Sequence, residues 1–354
     1  MCTNFLLAAE LNGGNVYVNG RSMEYGLDLG SKILIGGVGT QKASTAPDGN
    51  TGVTWTATYG YVGLNAAGVG LGNMITDGMN SAGLAIGGLW LPTSTQYQTV
   101  TTDSLALDVT DFANWALGQF ATVAEVASAV NGIQVWGVTN KQGNLEIPLH
   151  FAVSDANGDS IVIEYLGGAL VITTNPDGVL TNEPPFTWHL SNIANYVNLT
   201  ATDAGSITIN GTVYPQTGHG SGMLGLPGDS TPPSRFIRAL LEKQYALGKI
   251  SSSSSAADVG SLALHVLNTV DIPQGTSLPS QQDSSEGDDY TQWAVIKVLS
   301  STGGTFSYRT YDNPTVCQID LSASGLFSQT KEQTFDLPPV SGYVDVTTQV
   351  TPSS

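Results

Sequence analysis

Residues 2–25, CTNFLLAAELNGGNVYVNGRSMEY, are the segment around which the rest of this chain is organised. Two apolar-rich runs, 3–9 and 15–20, flank the turn sequence Asn-Gly-Gly-Asn, which is a strong signal for a β-hairpin. Cys2 stands directly behind Met1. If Met1 is removed, Cys2 carries a thiol and a free α-amine, and an amine with a pKa of about 8 can take the proton of a thiol with a pKa of about 8.5. The stretch therefore predicts an amino-terminal nucleophile; a chance cysteine on a frayed terminus is the alternative.

The composition is that of a globular, turn-rich protein. The 354 residues include 42 glycines, 41% are hydrophobic and only 11% are charged. The net charge of −18 leaves no basic stripe for phosphates, which argues against a nucleic-acid partner. No apolar run is long enough for a transmembrane helix, and no signal region precedes Cys2. The compartment stays open: periplasmic or exported if a native signal peptide has been removed, otherwise cytoplasmic.

The two cysteines cannot build a disulfide framework. Cys317 lies in a strand-like context and is predicted to be a small buried hydrophobe. A bridge between Cys2 and Cys317 would abolish the nucleophile, so the prediction is two free thiols.

The order of secondary-structure elements predicts a layered α+β fold. Strands come first, then two helices, strands, two more helices and closing strands, which differs from alternating βαβ units. Residues 1–354 are therefore read as one domain, with 77–83 as a turn, 273–289 as a loop and a loosely held tail after about 338. Besides the hairpin strands 3–9 and 15–20, the predicted strands are 54–61, 84–91, 149–154, 160–166, 169–173, 292–299, 305–311 and 315–321. The predicted helices are 104–119, 122–130, 233–249 and 256–270, and a further short helix is suggested at 184–197.

Several local motifs join the Met-Cys start in a fixed order. They are GRSMEY at 20–25, DGMN at 77–80, GVLTNEP at 178–184 and GLPGDSTPPSRF at 225–236. Together they resemble the choloylglycine hydrolase family, the bile salt hydrolases and penicillin V acylases, which are N-terminal-nucleophile (Ntn) hydrolases. The likeness continues through DYTQW and YDN near the end, so it covers nearly the whole chain.

The resemblance implies a four-layer αββα sandwich, the Ntn hydrolase fold, with Cys2 at the end of a central strand. It also implies removal of whatever precedes Cys2, a homotetramer, a small-molecule amide substrate and chemistry without a cofactor. The four histidines show no metal-ligand spacing and are read as structural, so no metal is expected.

The resemblance also assigns catalytic roles. Cys2 Sγ would attack an amide carbonyl to form a thioester, with its own α-amine as base. Arg21 and Arg235 would flank the thiol, where guanidinium charge favours the thiolate. Glu24 stands where the family has Asp and would hold the α-amine. Asn182 would donate its side-chain amide to the oxyanion.

The resemblance also implies that Trp90 would supply the second oxyanion donor, a backbone N–H that any residue except proline provides. Its indole, together with Met23, Tyr25 and Leu149, would line the acyl pocket, although the apolar members could equally be ordinary core. Tyr25 and Trp90 suggest an aromatic-lined site like that of the family's Gram-negative branch.

The sequence thus predicts a cysteine-dependent hydrolase of linear, non-peptide amide bonds. Conjugated bile salts, phenoxyacetyl penicillin (penicillin V) and N-acyl homoserine lactones are the candidate substrates, and Trp90 favours acylase-type substrates over bile salts. The alternative is a catalytically silent β-rich binding or surface protein that has kept the fold.

Overall fold

The computed structural model describes residues 1–137, 147–280 and 287–338. The strands are β1 (Cys2–Leu11), β2 (Gly14–Tyr25), β3 (Ile33–Gly36), β4 (Gln41–Thr45), β5 (Thr51–Thr56), β6 (Tyr61–Ala66), β7 (Leu71–Asn80), β8 (Ala85–Trp90), β9 (Ala106–Asp108), β10 (Gln134–Trp136), β11 (Leu149–Ser154), β12 (Ser160–Leu166), β13 (Ala169–Thr174), β14 (Val179–Leu180), β15 (Ile207–Ile209), β16 (Thr212–Tyr214), β17 (Tyr290–Ser300), β18 (Gly303–Thr310), β19 (Cys317–Asp320) and β20 (Glu332–Phe335). The helices are α1 (Phe112–Gln119), α2 (Val123–Ala129), α3 (Phe186–Asn192), α4 (Pro232–Leu247) and α5 (Ala256–Asn268).

Two antiparallel sheets form the centre of the molecule. One has the strand order β14-β1-β2-β17-β18-β19, and the other has the order β13-β12-β11-β8-β7-β6-β3-β20. Helices α4 and α5 cover the outer face of the first sheet. Helix α1 covers the second, where the Phe112 ring stacks on that of Phe151 with centroids 4.2 Å apart. The result is the predicted α+β sandwich of four layers, α, β, β and α.

The amino-terminal hairpin lies in the middle of the first sheet. Strand β1 is buried along most of its length because helices cover one face and the second sheet covers the other. Gly20 lies opposite Phe5 in the hairpin, and a Cβ there would come within 2.5 Å of the Phe5 ring. The hairpin therefore packs an aromatic ring over bare backbone in the core.

Three sequence predictions are wrong in their bounds. The run 54–61 is two strands, since β5 ends at Thr56 and β6 begins at Tyr61. The helix predicted at 104–119 begins only at Phe112, because residues 106–108 form β9, which pairs with β10. Residues 77–80 belong to β7 rather than to a turn; the turn follows, where Asn80 Oδ1 accepts from the N–H groups of Ala82 and Leu84.

Other sequence predictions agree with the structure in whole or in part. Helix α2 opens with the predicted capping box of Thr122 and Glu125. Cys2 and Cys317 are both free thiols, but Cys317 is only half-buried, since β19 lies at the edge of its sheet. The predicted tail beyond 338 lies outside the described residues, as does the middle of the loop at 273–289. Across residues 1–137, 147–280 and 287–338, no helix has the length and hydrophobicity that crossing a bilayer requires.

Candidate active site

Cys2 is the first residue of β1 and lies opposite Met23 of β2. Only 3% of its surface is exposed. Its sulfur is 3.6 Å from Sδ of Met23. The hairpin predicted from the sequence thus holds the thiol inside the molecule rather than on a frayed terminus.

Arg21 is the cation at the sulfur. It lies two residues before Met23 on β2, and its Nη2 donates to Cys2 Sγ at 3.1 Å and to the carbonyl oxygen of Gly88 at 2.6 Å. The side chain is fully buried, and its guanidinium carbon lies 5.2 Å from the ring centre of Trp293. The buried guanidinium is thereby held against the sulfur.

Asn182 and Arg235 meet at the backbone of Cys2. The N–H of Cys2 donates to Asn182 Oδ1 at 2.6 Å, and Asn182 Nδ2 donates to the carbonyl oxygen of Trp90 at 2.8 Å. Arg235 donates from Nη2 to Asn182 Oδ1 at 2.8 Å and from Nη1 to the carbonyl oxygen of Cys2 at 2.5 Å. It also donates to Thr3 and Ser230. The loop that carries Asn182 and the first turn of helix α4, far apart in the sequence, are thereby fixed to Cys2.

Glu24 is fully buried, but its hydrogen bonds differ from the contact with the Cys2 nitrogen that the resemblance implies. Its Oε1 accepts from the hydroxyl of Thr291 at 3.0 Å, while Asn182 accepts from the nitrogen of Cys2. Met1 is the physical reason, because it continues β1: its carbonyl accepts from the N–H of Glu24, and its own nitrogen donates to the Glu24 carbonyl. Burial raises the pKa of Glu24, and the Arg235 charge opposes that rise.

Two histidines hold the loop that carries Asn182. His150 lies between Glu164 Oε1, at 3.1 Å, and the carbonyl of Thr181, at 2.9 Å. His189 Nε2 lies 2.9 Å from the carbonyl of Asn182 itself. Burial lowers the pKa of His189 to about 4. Sequence reasoning treated these histidines as structural and missed this contact with the site; His189 follows the Asn182 motif by seven residues, which was the available signal.

An apolar cavity opens at the sulfur. Its empty volume is about 680 Å³, counting the space at its mouth. The rings of Tyr25 and Trp90 meet edge to face with centroids 5.6 Å apart. Its lining comprises Cys2, Met23, Glu24, Tyr25, Leu27, Leu29, Ala66, Val69, Leu71, Met74, Thr76, Gly88, Trp90, Ile147 and Leu149.

All four residues that the sequence predicted for the pocket therefore line this cavity. Sequence reasoning missed the residues from 66–76 and Leu27 and Leu29, because their apolar pattern resembles that of any core strand. Within residues 1–137, 147–280 and 287–338 no group of three or more His, Cys, Asp or Glu side chains could hold a metal ion.

Comparison with known proteins agrees with this geometry. Residues 2–338 match the family model of the linear amide C–N hydrolases, choloylglycine hydrolase family. A bile salt hydrolase/transferase of Clostridium perfringens is 31% identical over 251 residues, 71% of this chain and 73% of that protein.

Two solved structures also match closely. The crystal structure of a conjugated bile acid hydrolase variant from the same organism superposes with a TM-score of 0.83 at 26% identity, covering 98% of this chain and all of that one. A penicillin V acylase from Agrobacterium tumefaciens gives a TM-score of 0.73 at 26% identity, covering 95% and 91%. These matches confirm the predicted Ntn hydrolase sandwich.

Proposed function

The chain belongs to the choloylglycine hydrolase family of linear amide C–N hydrolases, and from that membership we propose that Cys2 cleaves amides with a bulky apolar acyl group through a thioester. The observation that carries this proposal is the position of the sulfur. It lies at an apolar cavity of about 680 Å³ and accepts a hydrogen bond from a buried guanidinium. An acyl group in the cavity would present its carbonyl carbon to Sγ.

The reaction needs the α-amine of Cys2, which becomes free when Met1 is removed. The amine takes the thiol proton and Sγ attacks the carbonyl carbon, giving a tetrahedral oxyanion. The proton then passes to the leaving nitrogen, the C–N bond breaks and a thioester remains. Water attacks the thioester with the same amine as base, the C–S bond breaks, and the acid and the thiol are released.

Asn182 and the backbone of Trp90 are the proposed oxyanion donors. The amide of Asn182 lies beside Trp90, to whose carbonyl it donates. The N–H of Leu91 donates to Pro148 on the β11 side, so the alternation of an antiparallel ladder turns the N–H of Trp90 toward β7. The pairing of β8 with β7 ends at Gly87, three residues earlier. Substrate could therefore approach both donors from that side.

Arg21 and Arg235 have different proposed tasks. Arg21 bonds to the sulfur and stabilises its anionic form. Arg235 bonds to the carbonyl of Cys2 and to Asn182, so it positions the nucleophile against the oxyanion donor. Glu24, buried beside them, would balance the α-ammonium once Met1 is absent.

Amides of the penicillin V and N-acyl type are the substrates that we favour. The edge-to-face pair of Tyr25 and Trp90 offers aromatic surface to a planar acyl group such as phenoxyacetyl. Conjugated bile salts are the second candidate, because one of the relatives is a bile salt hydrolase/transferase and the cavity is apolar throughout most of its lining.

A substrate panel tests the proposal. Protein beginning at Cys2, verified by intact mass, is incubated with penicillin V, glycocholate, taurocholate and a long-chain N-acyl homoserine lactone. We expect the fastest release of acid from penicillin V or the lactone, loss of turnover in Cys2→Ala, and full activity in the matched control Cys317→Ser. Release from none of the four by folded protein would favour the alternative, a silent binding protein.

We also infer a homo-oligomer, a tetramer by family resemblance. The ribbon of β15 and β16 supports it, since Ile207, Ile209, Val213 and Tyr214 are each more than half exposed. Light scattering on the purified protein measures the mass directly, and a monomer at micromolar concentration would contradict the inference.

A further inference from the structure

Three buried charges form a chain behind the sulfur. Arg21 comes from β2, Asp77 from β7 and Lys297 from β17, and none of the three side chains is exposed. The chain crosses from the first sheet to the second and back. Charges in such a place require partners, because removal from water is costly for each ion.

The carboxylate of Asp77 is shared unequally. Lys297 Nζ lies 2.5 Å from Asp77 Oδ1, whereas Arg21 Nε lies 3.9 Å from the same oxygen, which is too far for a hydrogen bond. The hydrogen bonds of Arg21 go instead to Cys2 Sγ and the Gly88 carbonyl. Asp77 is therefore the partner of Lys297, and the charge of Arg21 stays directed at the thiol.

Counting charges among the described residues around Cys2 supports the same assignment. Arg21, Lys297 and, on α4, Arg235 are fully buried cations, whereas Asp77 and Glu24 are the fully buried carboxylates. One buried cation is left over, and the group that Arg21 touches with it is the sulfur. Burial lowers the pKa of Lys297, and Asp77 opposes that fall.

We propose that Lys297, by neutralising Asp77, leaves the Arg21 charge uncompensated so that it can stabilise the Cys2 thiolate. Lys297 is thus a positioning residue that acts through two others, and its role rests on the proposed function of Cys2. If the ammonium were absent, Asp77 would have only Arg21 as a cation. The guanidinium would then be drawn toward the carboxylate and away from the sulfur.

Thiol reactivity tests this without any amide substrate. In a Cys317→Ser background Cys2 is the one thiol, and its alkylation by iodoacetamide is followed from pH 5 to pH 10. Lys297→Met should move the midpoint of the alkylation profile upward by about one pH unit, the size expected from one nearby charge. Lys243→Met, which removes another buried lysine that donates to the Leu6 carbonyl, is the matched control and should leave the midpoint in place.

Removing both charges separates electrostatics from packing. In the double variant Asp77→Asn, Lys297→Met the guanidinium has no carboxylate to pair with, so the midpoint should return to within about 0.3 pH unit of the parent. Asp77→Asn alone should not raise the midpoint, which keeps the test available if Lys297→Met fails to fold.

Three results would overturn the proposal. They are an unchanged midpoint in folded Lys297→Met, a double variant that stays as high as the single one, and a raised midpoint in Asp77→Asn, which would mean that Asp77 orients Arg21. Since alkylation is independent of hydrolysis, an inactive substrate panel and an unshifted midpoint are separate findings.

Discussion

The two ends of Cys2 lie in different environments although they belong to one residue. At the nitrogen end, Asn182 uses both its amide oxygen and its amide nitrogen, and Arg235 makes hydrogen bonds through all three of its nitrogens. At the sulfur end, Arg21 Nε and Nη1 and Asp77 Oδ2 have no hydrogen-bond partner among the described residues.

In the proposed mechanism this difference lets one residue serve as both base and nucleophile. A saturated hydrogen-bond network fixes position, so the nitrogen end would set the geometry of attack. The under-bonded cluster of charges would act on the reactivity of the sulfur instead. Substitutions at the nitrogen end should therefore cost stability and geometry together, and those at the sulfur end should act mainly on reactivity.

The largest effect is expected from Arg235→Met. The change removes the guanidinium that donates to the Asn182 oxygen and to the Cys2 carbonyl, and breaking a buried charged interaction costs about 3–5 kcal/mol. Urea unfolding measures the free energy of unfolding, and kcat/KM should fall with it even where the variant is folded.

Arg238→Met is the matched control on the same helix. Arg238 donates to carbonyls of Thr269, Pro227 and Asp229 rather than to the site, so its loss should lower stability while kcat stays near the parent value. If Arg235→Met keeps as much kcat as Arg238→Met, the nitrogen end does not set geometry.

Asn182→Asp should have the next largest effect. The carboxylate can still accept from the Cys2 nitrogen and from Arg235, but it cannot donate to Trp90 or to an oxyanion. Loss of one oxyanion donor lowers kcat by about 10²–10³. Steady-state kinetics on the best substrate of the panel gives the value.

Asn175→Asp provides the comparison, since Asn175 is a buried asparagine whose Nδ2 likewise donates to a carbonyl, that of Val179. It should reduce stability and leave kcat within about threefold, as a change outside the site does. Equal kcat in the two variants would remove Asn182 from the oxyanion site.

The sequence identified residues at both ends of Cys2, but the contact assigned to Glu24 at the nitrogen end was wrong and Lys297 at the sulfur end was missed. Asn182 and Arg235 lie in recognisable motifs at 178–184 and 225–236, and the hairpin that carries Cys2 has an unmistakable turn. Lys297 lies in an apolar strand at 292–299, where a lone charge reads as solvent-facing. Its burial depends on the pairing of β17 with β2 and on the second sheet, which local periodicity does not contain.

In the fold, too, elements with clear local signals were predicted and elements that depend on distant partners were missed. Strands bounded by clear turns, such as β11 and β12, were predicted at their observed bounds. Strand β20 was missed because it is short and polar and pairs with β3, almost three hundred residues away in the chain. Residues 77–80 were misread because glycine and asparagine favour turns, whereas Gly78 here avoids a clash with the Val62 carbonyl.

Gly87→Ala tests the sulfur end with a smaller change. A Cβ at Gly87 would lie 3.0 Å from both Arg21 Cδ and Asp77 Oδ1, so the arginine must shift. We expect kcat/KM to fall by about tenfold and stability by about 1–3 kcal/mol, as overpacking does. Gly260→Ala adds the same methyl group where no atom lies within 4 Å and should leave kcat/KM unchanged. A fall in stability without a fall in kcat/KM would contradict the proposed role of Arg21.

The smallest effect concerns pH and His189, which holds the Asn182 loop from behind. Burial lowers the pKa of His189 to about 4, whereas an exposed histidine has a pKa of about 6.5. The unfolded chain therefore binds more protons between these two values, and stability falls as the pH drops through that window. The free energy of unfolding should decrease by about 1 kcal/mol between pH 7 and pH 5.5. Glutamine can still donate to the Asn182 carbonyl but does not titrate, so His189→Gln should lose that decrease. If the free energy of unfolding of His189→Gln keeps the same pH dependence, another group titrates. The loss of stability at acid pH would then come from a residue outside this loop.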